Sequence, residues 1–335
     1  MFKSILPRAG KSSALCPLLF FLLLVTIPAG GAAPGDQKST PEGAGKPAQF
    51  DPRMAYKHAK SIVGLGPRTP GSEASRKAQE YIGAELRGYG LKVSDDRFEA
   101  RTPRGAMPMT NIIGELPGEK TDVVIISGHY DTKIQPGFVG ANDGGSSAAT
   151  VLEIARGLSK FKPEYTLWFV FFDGEEAVVD WDANGGTDNT YGSRRMASRL
   201  VASGTMARVK AMILVDMIGD RSLDLRRDTE STPWLVELIW SAARRAGHGK
   251  HFLDEEGAYL DDHLPFKEAG VPVVDLIDFN FGPDNSYWHT NHDTLDKISG
   301  ESMKVIGDVI IGALPDLFAR LNRRAPNIDR GRPKG

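Results

Sequence analysis

The sequence predicts an α/β protein, a three-layer αβα sandwich around a mixed, mostly parallel central sheet. Three observations carry this. Short runs of β-branched, aromatic and leucine residues recur at 123–127, 165–172, 209–215 and 271–276. They are too short for helices and too continuously apolar for strands with one wet face, so they read as strands buried on both sides. Segments with helical spacing of apolar residues lie between them, and this alternation is the pattern of helices layered on a sheet. The runs also end repeatedly in acids or histidine, and open α/β sheets place their chemistry beyond the carboxyl ends of their strands.

The elements follow in order. Asp51 is placed to cap a helix over 51–63, and 64–71 is turn-rich. A second helix over 73–89 gathers Ala78, Tyr81, Ile82 and Leu86 on one face. Strands at 91–99 and 109–115 read as a hairpin, ahead of the apolar strand 123–127 and a helix over 146–158. The strand 165–172 (Y-T-L-W-F-V-F-F) leads into D-G-E-E, then a polar loop over 180–191 and a helix from about Arg194. Strand 209–215, a helix over 233–246, strand 271–276 and a long helix over 301–321 complete the series.

The termini have a different character. Lys3, Arg8 and Lys11 precede an apolar stretch at 15–28 and the small residues 29–33. This is the layout of an export signal over 1–33, giving a periplasmic or secreted product, with a retained N-terminal membrane anchor as the alternative. Residues 34–50, rich in Pro, Gly and polar side chains, read as a disordered linker, 51–322 as one catalytic domain, and 323–335 as a basic tail. The only cysteine, Cys16, falls within the signal, so the mature chain has neither disulfides nor thiolate ligands, and any metal is held by oxygen and nitrogen. A net charge of −2 without a basic, aromatic-interleaved patch argues against nucleic-acid binding, and nothing beyond the signal segment points to a membrane. Oligomeric state leaves no mark.

Five strand-end positions carry the chemistry. His129 and Asp131 follow the 123–127 strand, and Asp143 opens the next helix. Glu175 and Glu176 follow 165–172, Asp216 follows 209–215, and His289 lies in the Gly/Pro/Asn-rich loop beyond the last core strand. Singly, His129 reads as a loop histidine and Asp143 as a helix cap, and the glutamate pair could be a solvated acidic turn. Together at one sheet edge they are the donor types of a cysteine-free zinc site. Adjacent glutamates leaving a strand point apart, so one can hold metal while the other faces substrate. His58, His248, His251 and His292 lack such company and read as surface residues, and His263 follows a helix-capping acid.

The motifs H-Y-D-T-K (129–133), G-A-N-D-G-G (140–145), F-F-D-G-E-E-A (171–177), D-M-I-G (216–219), D-D-H-L-P-F (261–266), G-V-P-V (270–273) and W-H-T (288–290) occur in the order and approximate spacing of the M28 zinc peptidase superfamily. More narrowly the chain resembles the animal-type glutaminyl cyclases, in D-G-E-E, the insertion from Trp181 to Ser193, and Trp288 directly before His289. The resemblance implies a zinc-exopeptidase-like fold with Asp143, Glu176 and His289 as zinc ligands. It also implies Glu175 as general acid/base, Asp216 and Asp261 in a supporting carboxylate network, and Trp181, Trp288 and Phe281 walling the substrate pocket. Three positions depart from the cyclase pattern: Gly144 stands for Ser, Leu260 for Gln and Asp275 for His, and the animal cysteine pair is missing.

The implied reaction converts an N-terminal Gln of a peptide or protein to pyroglutamate with release of ammonia, using one Zn2+ per chain. The alternative on the same fold is a co-catalytic aminopeptidase with two Zn2+, in which His129 and Asp216 bind the second ion and Asp143 bridges. A non-catalytic binding domain is a third reading, and lost ligands would be its signature.

Overall fold

The computed structural model describes residues 49–324; Cys16, the expected export signal, most of the expected linker and the expected tail from 325 lie outside the described residues. Helix α1 (Pro52–Val63) begins where the Asp51 carboxylate accepts from Arg53 N, with proline at the first helical position. Ser72 caps α2 (Glu73–Gly88) through Ser75 N, and Ala78, Ile82 and Leu86 are buried on its inner face. Tyr81 is half-buried, and its hydroxyl lies 2.7 Å from His58 Nδ1. His58, expected at the surface, is buried between Tyr81 and Tyr89, and burial pulls its pKa down to about 4. A neutral imidazole there serves as a hydrogen-bond partner within the helix layer.

The strands are β1 (Lys92–Thr102), β2 (Gly105–Leu116), β3 (Lys120–His129), β4 (Tyr165–Phe172), β5 (Val209–Asp216) and β8 (Val273–Ile277), forming one six-stranded sheet in the order β1-β2-β4-β3-β5-β8. The β1–β2 hairpin and the β2–β4 pair are antiparallel, whereas β4, β3, β5 and β8 run parallel. The sheet is therefore mixed and mostly parallel. Two short strands that the sequence pattern does not announce, β6 (Leu225–Asp228) and β7 (Phe252–Gly257), pair separately. Both are flanked by charged residues, so neither shows an apolar run.

Side chains alternate across the sheet. Val124, Ile126, Phe169, Phe171, Ile213, Val215 and Leu276 enter one core with α1, α2, α3 (Gly145–Leu158), α6 (Pro233–Arg245) and α8 (Gly300–Arg324). Val123, Ile125, Val170, Phe172, Leu214 and Val273 enter the other with α5 (Tyr191–Ala202) and α7 (Leu264–Glu268). Both faces are covered, which is why the central strands read as unbroken apolar runs. Helix α5 starts three residues before the expected Arg194, because Tyr191 N and Thr190 N bond back to Gly174 O and Glu175 O. A four-residue helix, α4 (Ala183–Gly186), interrupts the polar loop. Among the described residues no helix is long and apolar enough to cross a membrane.

The chain passes from β3 to β4 on one side of β3 and from β5 to β8 on the other side of β5, so the strand order switches direction between β3 and β5. At such a switch the loops beyond the strands part and leave a crevice. The ends of β3, β4, β5 and β8 all open onto it.

Candidate metal centre and active site

Backbone geometry sets the acids in place. Gly144 holds φ 77° between Asp143 and α3, and a Cβ there would stand 2.5 Å from Asp131 O and 3.0 Å from the His129 ring. Only glycine fits, which accounts for the departure from serine at this position. Asp143 does not cap α3: the cap position is Gly144, with no side-chain bond to the helix. Instead the Asp293 carboxylate accepts from Asn142 N (2.7 Å) and Asp143 N (3.0 Å). The Asp131 carboxylate does the same for Glu175 N (3.2 Å) and Glu176 N (3.3 Å), fixing both glutamates. His289 is held at φ 52°, and Met217, next to Asp216, at φ 48°. Non-glycine residues with positive φ are uncommon and concentrate where function over-determines the backbone.

Asp143, Glu176 and His289 converge. His289 Nε2 lies 3.3 Å from Asp143 Oδ2 and 3.2 Å from Glu176 Oε1, so one nitrogen faces two carboxylates. Asp143 Oδ2 and both Glu176 oxygens are buried without a hydrogen-bond partner. Such orphaned acceptors are costly unless a cation satisfies them. Zinc bonds of about 2.0–2.2 Å in a tetrahedron put ligand atoms about 3.3 Å apart, so this one-nitrogen, two-oxygen set fits the ion in number, type and spacing.

A second group abuts it. His129 Nε2 lies 3.0 Å from Asp216 Oδ1 and 3.2 Å from Asp143 Oδ1, with Nδ1 3.3 Å from Asp131 Oδ1. Its atoms are already engaged: Asp216 Oδ1 also accepts from Ser147 Oγ (3.0 Å) and Met217 N (2.8 Å). Burial depresses the His129 imidazole, but the Asp216, Asp131 and Asp143 carboxylates outweigh it and push its pKa well up. For His289 the same contest, with Asp143 and Glu176, ends at about 9.

Glu175 lies beside this centre with its carboxyl pushed far above the ordinary range. Burial is the main cause; His129 opposes it, and Asp261, Glu176 and Asp262 reinforce it. Burial likewise raises Asp261, with Asp216 and Asp262 adding, and lifts Asp262 to about 7. Asp275 rises for the same reason, and Asp261 is the neighbouring charge acting on it most strongly. Behind it lies His263, fully buried, with Nε2 3.3 Å from Asp228 Oδ2 and Nδ1 3.8 Å from Asp275 Oδ2; neither ring nitrogen and neither Asp275 oxygen has a hydrogen-bond partner among the described residues. The donor atoms of these three residues also lie close enough together to hold a metal ion. The only sequence signal of this group is D-D-H, where the histidine follows two acids.

These acids open into a cavity of ≈ 340 Å³. Asp143, Glu175, Glu176, Asp216, Asp261 and His289 line its inner part, and Trp181, Trp288, Tyr259, Leu260 and Phe279 its outer part. Trp288 stacks on His289 at 4.1 Å between ring centres. Trp181 is positioned by its loop: Asp188 accepts from Val178 N, Val179 N and Asp180 N, and Asn189 Nδ2 donates to Trp181 O. Phe281, expected in the wall, is fully buried with its ring edge-on to Tyr287 and lies outside the lining. Phe279 takes that place, two residues beyond the end of β8. A larger hollow of ≈ 730 Å³, by Tyr165, Val209 and Val271 at the opposite ends of the strands, contains none of the site's acids.

Comparison with known proteins agrees with this geometry. The model of peptidase family M28 matches residues 111–314, which contain the five strand-end positions. A crystal structure of an Acidobacteriales bacterium glutaminyl cyclase is 38% identical, with a TM-score of 0.78 over 87% of this chain and 100% of that one. The glutaminyl-peptide cyclotransferase of Bos taurus is 29% identical across 73% of this chain and 77% of its own length. The crystal structure of a leucine aminopeptidase precursor from Bacteroides thetaiotaomicron is also similar, at 28% identity, TM-score 0.73, over 81% and 98% of the two chains. The matched span and the three-layer fold together place the chain in peptidase family M28.

Proposed function

We propose that this chain is a glutaminyl-peptide cyclotransferase, acting on N-terminal Gln of peptides and proteins and holding one zinc ion at Asp143, Glu176 and His289. The single observation that carries the metal assignment is the set of orphaned carboxylate oxygens around His289 Nε2. Similarity to glutaminyl cyclases over nearly the whole folded region carries the choice of reaction.

The substrate's own α-amine attacks its side-chain amide carbon; the new C–N bond closes the ring, the amide C–N bond breaks and ammonia leaves. Nucleophile and electrophile sit on one residue, so much of the proximity advantage is built into the substrate. Zinc bound at the triad supplies a Lewis acid that polarises the amide carbonyl. Glu175, as its carboxylate, takes a proton from the attacking amine and returns it to the departing nitrogen. Asp261, in the same buried acid cluster, steadies that proton. Trp288 and Trp181 wall the chamber and exclude water, which would open the ring chemistry to hydrolysis.

The aminopeptidase alternative needs a second ion at His129, Asp143 and Asp216. That group has the spacing for one, but Asp216 Oδ1 is satisfied by Ser147 and Met217 and His129 Nδ1 faces Asp131, so protein groups complete it. His129 and Asp216 are then partners that brace Asp143. The export signal over 1–33 supports a periplasmic or secreted enzyme. Incubating the mature protein with Gln-initiated and Leu-initiated dipeptides decides between the readings. Ammonia and pyroglutamate from the first are expected; free leucine from the second would refute the cyclase assignment.

A further inference from the structure

We propose that Asp228, His263 and Asp275 hold a second divalent ion of zinc type, separate from the catalytic triad and structural in role. The inference goes beyond the proposed reaction and stands equally for ring closure and for peptide cleavage. The three residues come from different parts of the chain: Asp228 ends β6, His263 stands directly before α7, and Asp275 lies within β8. All three side chains are closed off from solvent, and none of them lines the active-site cavity. One donor atom from each can be chosen so that the three lie within 4.8 Å of one another.

Two of these side chains are buried with their polar atoms unsatisfied. Both nitrogens of His263 and both oxygens of Asp275 lack a hydrogen-bond partner among the described residues. Four such atoms on two neighbouring side chains cost folding free energy unless a further group satisfies them. A proton does not, because 3.8 Å between Asp275 Oδ2 and His263 Nδ1 is too long for a hydrogen bond. A cation does, since two ligands of one zinc-type ion stand roughly 3–4 Å apart. Charge argues the same way. The strongest electrostatic neighbours of Asp275 are Asp261, Asp228, Asp216 and Asp262, all of them acids. Position 275 is also where the chain departs from the cyclase pattern, and the change from histidine gives the group its second carboxylate.

The third donor is held in place by its surroundings. Asp228 Oδ1 accepts from Glu230 N (3.0 Å) and Tyr259 N (3.3 Å). Its Oδ2 accepts from Ser231 Oγ (2.6 Å), which in turn accepts from Asp275 N (2.8 Å). Hydrogen bonds of this kind orient the carboxylates that ligate a metal. An imidazole among the donors favours zinc-type ions over calcium or magnesium. The ion ties β6, the start of α7 and β8 together, and so fixes the segment that carries Asp261, two residues before His263.

The test counts zinc by mass spectrometry in protein produced with zinc in the medium and then desalted. Wild type should carry two equivalents, and Asp275→Asn and His263→Ala one each. His289→Ala, which loses the ion of the triad, should keep the one at His263. Asp275→Asn is the sharpest arm, because the amide has the shape of a protonated aspartic acid but is a poor ligand. In His289→Ala, Tm measured in zinc should exceed Tm in a chelator by roughly 5–10 °C. Adding Asp275→Asn to that variant should abolish the difference. One equivalent in wild type with none in His289→Ala overturns the site, as does a second equivalent that survives Asp275→Asn. A second equivalent lost in His129→Ala instead overturns it and favours the aminopeptidase reading, so failure of this site and failure of the proposed reaction are told apart.

Discussion

Replacing Glu175 by Gln is the most discriminating perturbation of the site. The two side chains have the same shape, and the backbone N–H of residue 175 remains held by Asp131 Oδ1. The proposed zinc donors belong to other residues, and the nearest ionic contact of the Glu175 carboxylate is His129 Nδ1 at 3.9 Å. The variant should therefore keep its metal. It should also keep its stability, because the amide fills the same volume and brings no charge into the buried site. What it loses is the proton carrier. General acid/base transfer contributes on the order of 10²–10⁴-fold, or about 2.7–5.4 kcal/mol of transition-state stabilisation. We expect kcat for a Gln-initiated peptide, followed by ammonia release, to fall by that factor while zinc per chain, measured by mass spectrometry, and Tm hold. Wild-type turnover would falsify the assignment of Glu175 as proton carrier; zinc lost together with activity would assign it to the metal instead.

Four further outcomes are expected. His289→Ala should lose the zinc, whereas His129→Ala should keep it at lower turnover; the reverse pattern of metal content would move the ion to the second group. Gly144→Ser forces a side chain to within 2.5 Å of Asp131 O at φ 77°, displacing the acid that holds Glu175 and Glu176. It should lower Tm by roughly 2–6 °C, given about 1–2 kcal/mol for the backbone strain plus the contact, and a Tm within a degree of wild type contradicts the geometry. Asp278, fully buried, is pushed by burial and by Asp224 and Asp220 up to about 8, so the folded state holds a proton that the unfolded chain releases near pH 4. Its stabilising contribution is complete below the ordinary carboxylate range and is lost as pH rises towards 8; Asp278→Asn should gain on wild type in Tm between pH 5 and pH 9, and a constant difference rejects this. His263→Ala leaves the buried Asp228 carboxylate without its imidazole neighbour and should cost about 1–3 kcal/mol in denaturant unfolding; a loss under about 0.5 kcal/mol rejects this.

Much of the active site was legible because strand-end chemistry is local in sequence. Asp143, Glu175, Glu176, Asp216 and His289 each follow or precede a recognisable element, and all of them line one cavity. Residues whose roles depend on long-range approach left weaker marks. Asp293 looks like an ordinary loop acid, yet it holds Asn142 N and Asp143 N from 150 residues away. His58 is polar and flanked by Lys57, which suggests a surface position, but α2 and the following turn close over it with two tyrosines. Phe281 and Phe279 are indistinguishable by composition, and the turn after β8 buries one and presents the other to the cavity.

The sequence by itself determined the layers, the sheet's buried character and the chemistry available at its edge, because hydrophobic periodicity and residue type act over a few neighbours. It also determined that residues 34–335 contain no cysteine, so any metal they hold is held without thiolate. Only the tertiary structure decided how donors are shared. Strand order brings Asp143 within reach of both His129 and His289, so that one histidine nitrogen finds orphaned oxygens and the other finds oxygens already hydrogen-bonded. That difference between the two groups is one of a few tenths of an ångström and of bond direction. It arises from packing across the switch between β3 and β5, which no local pattern encodes.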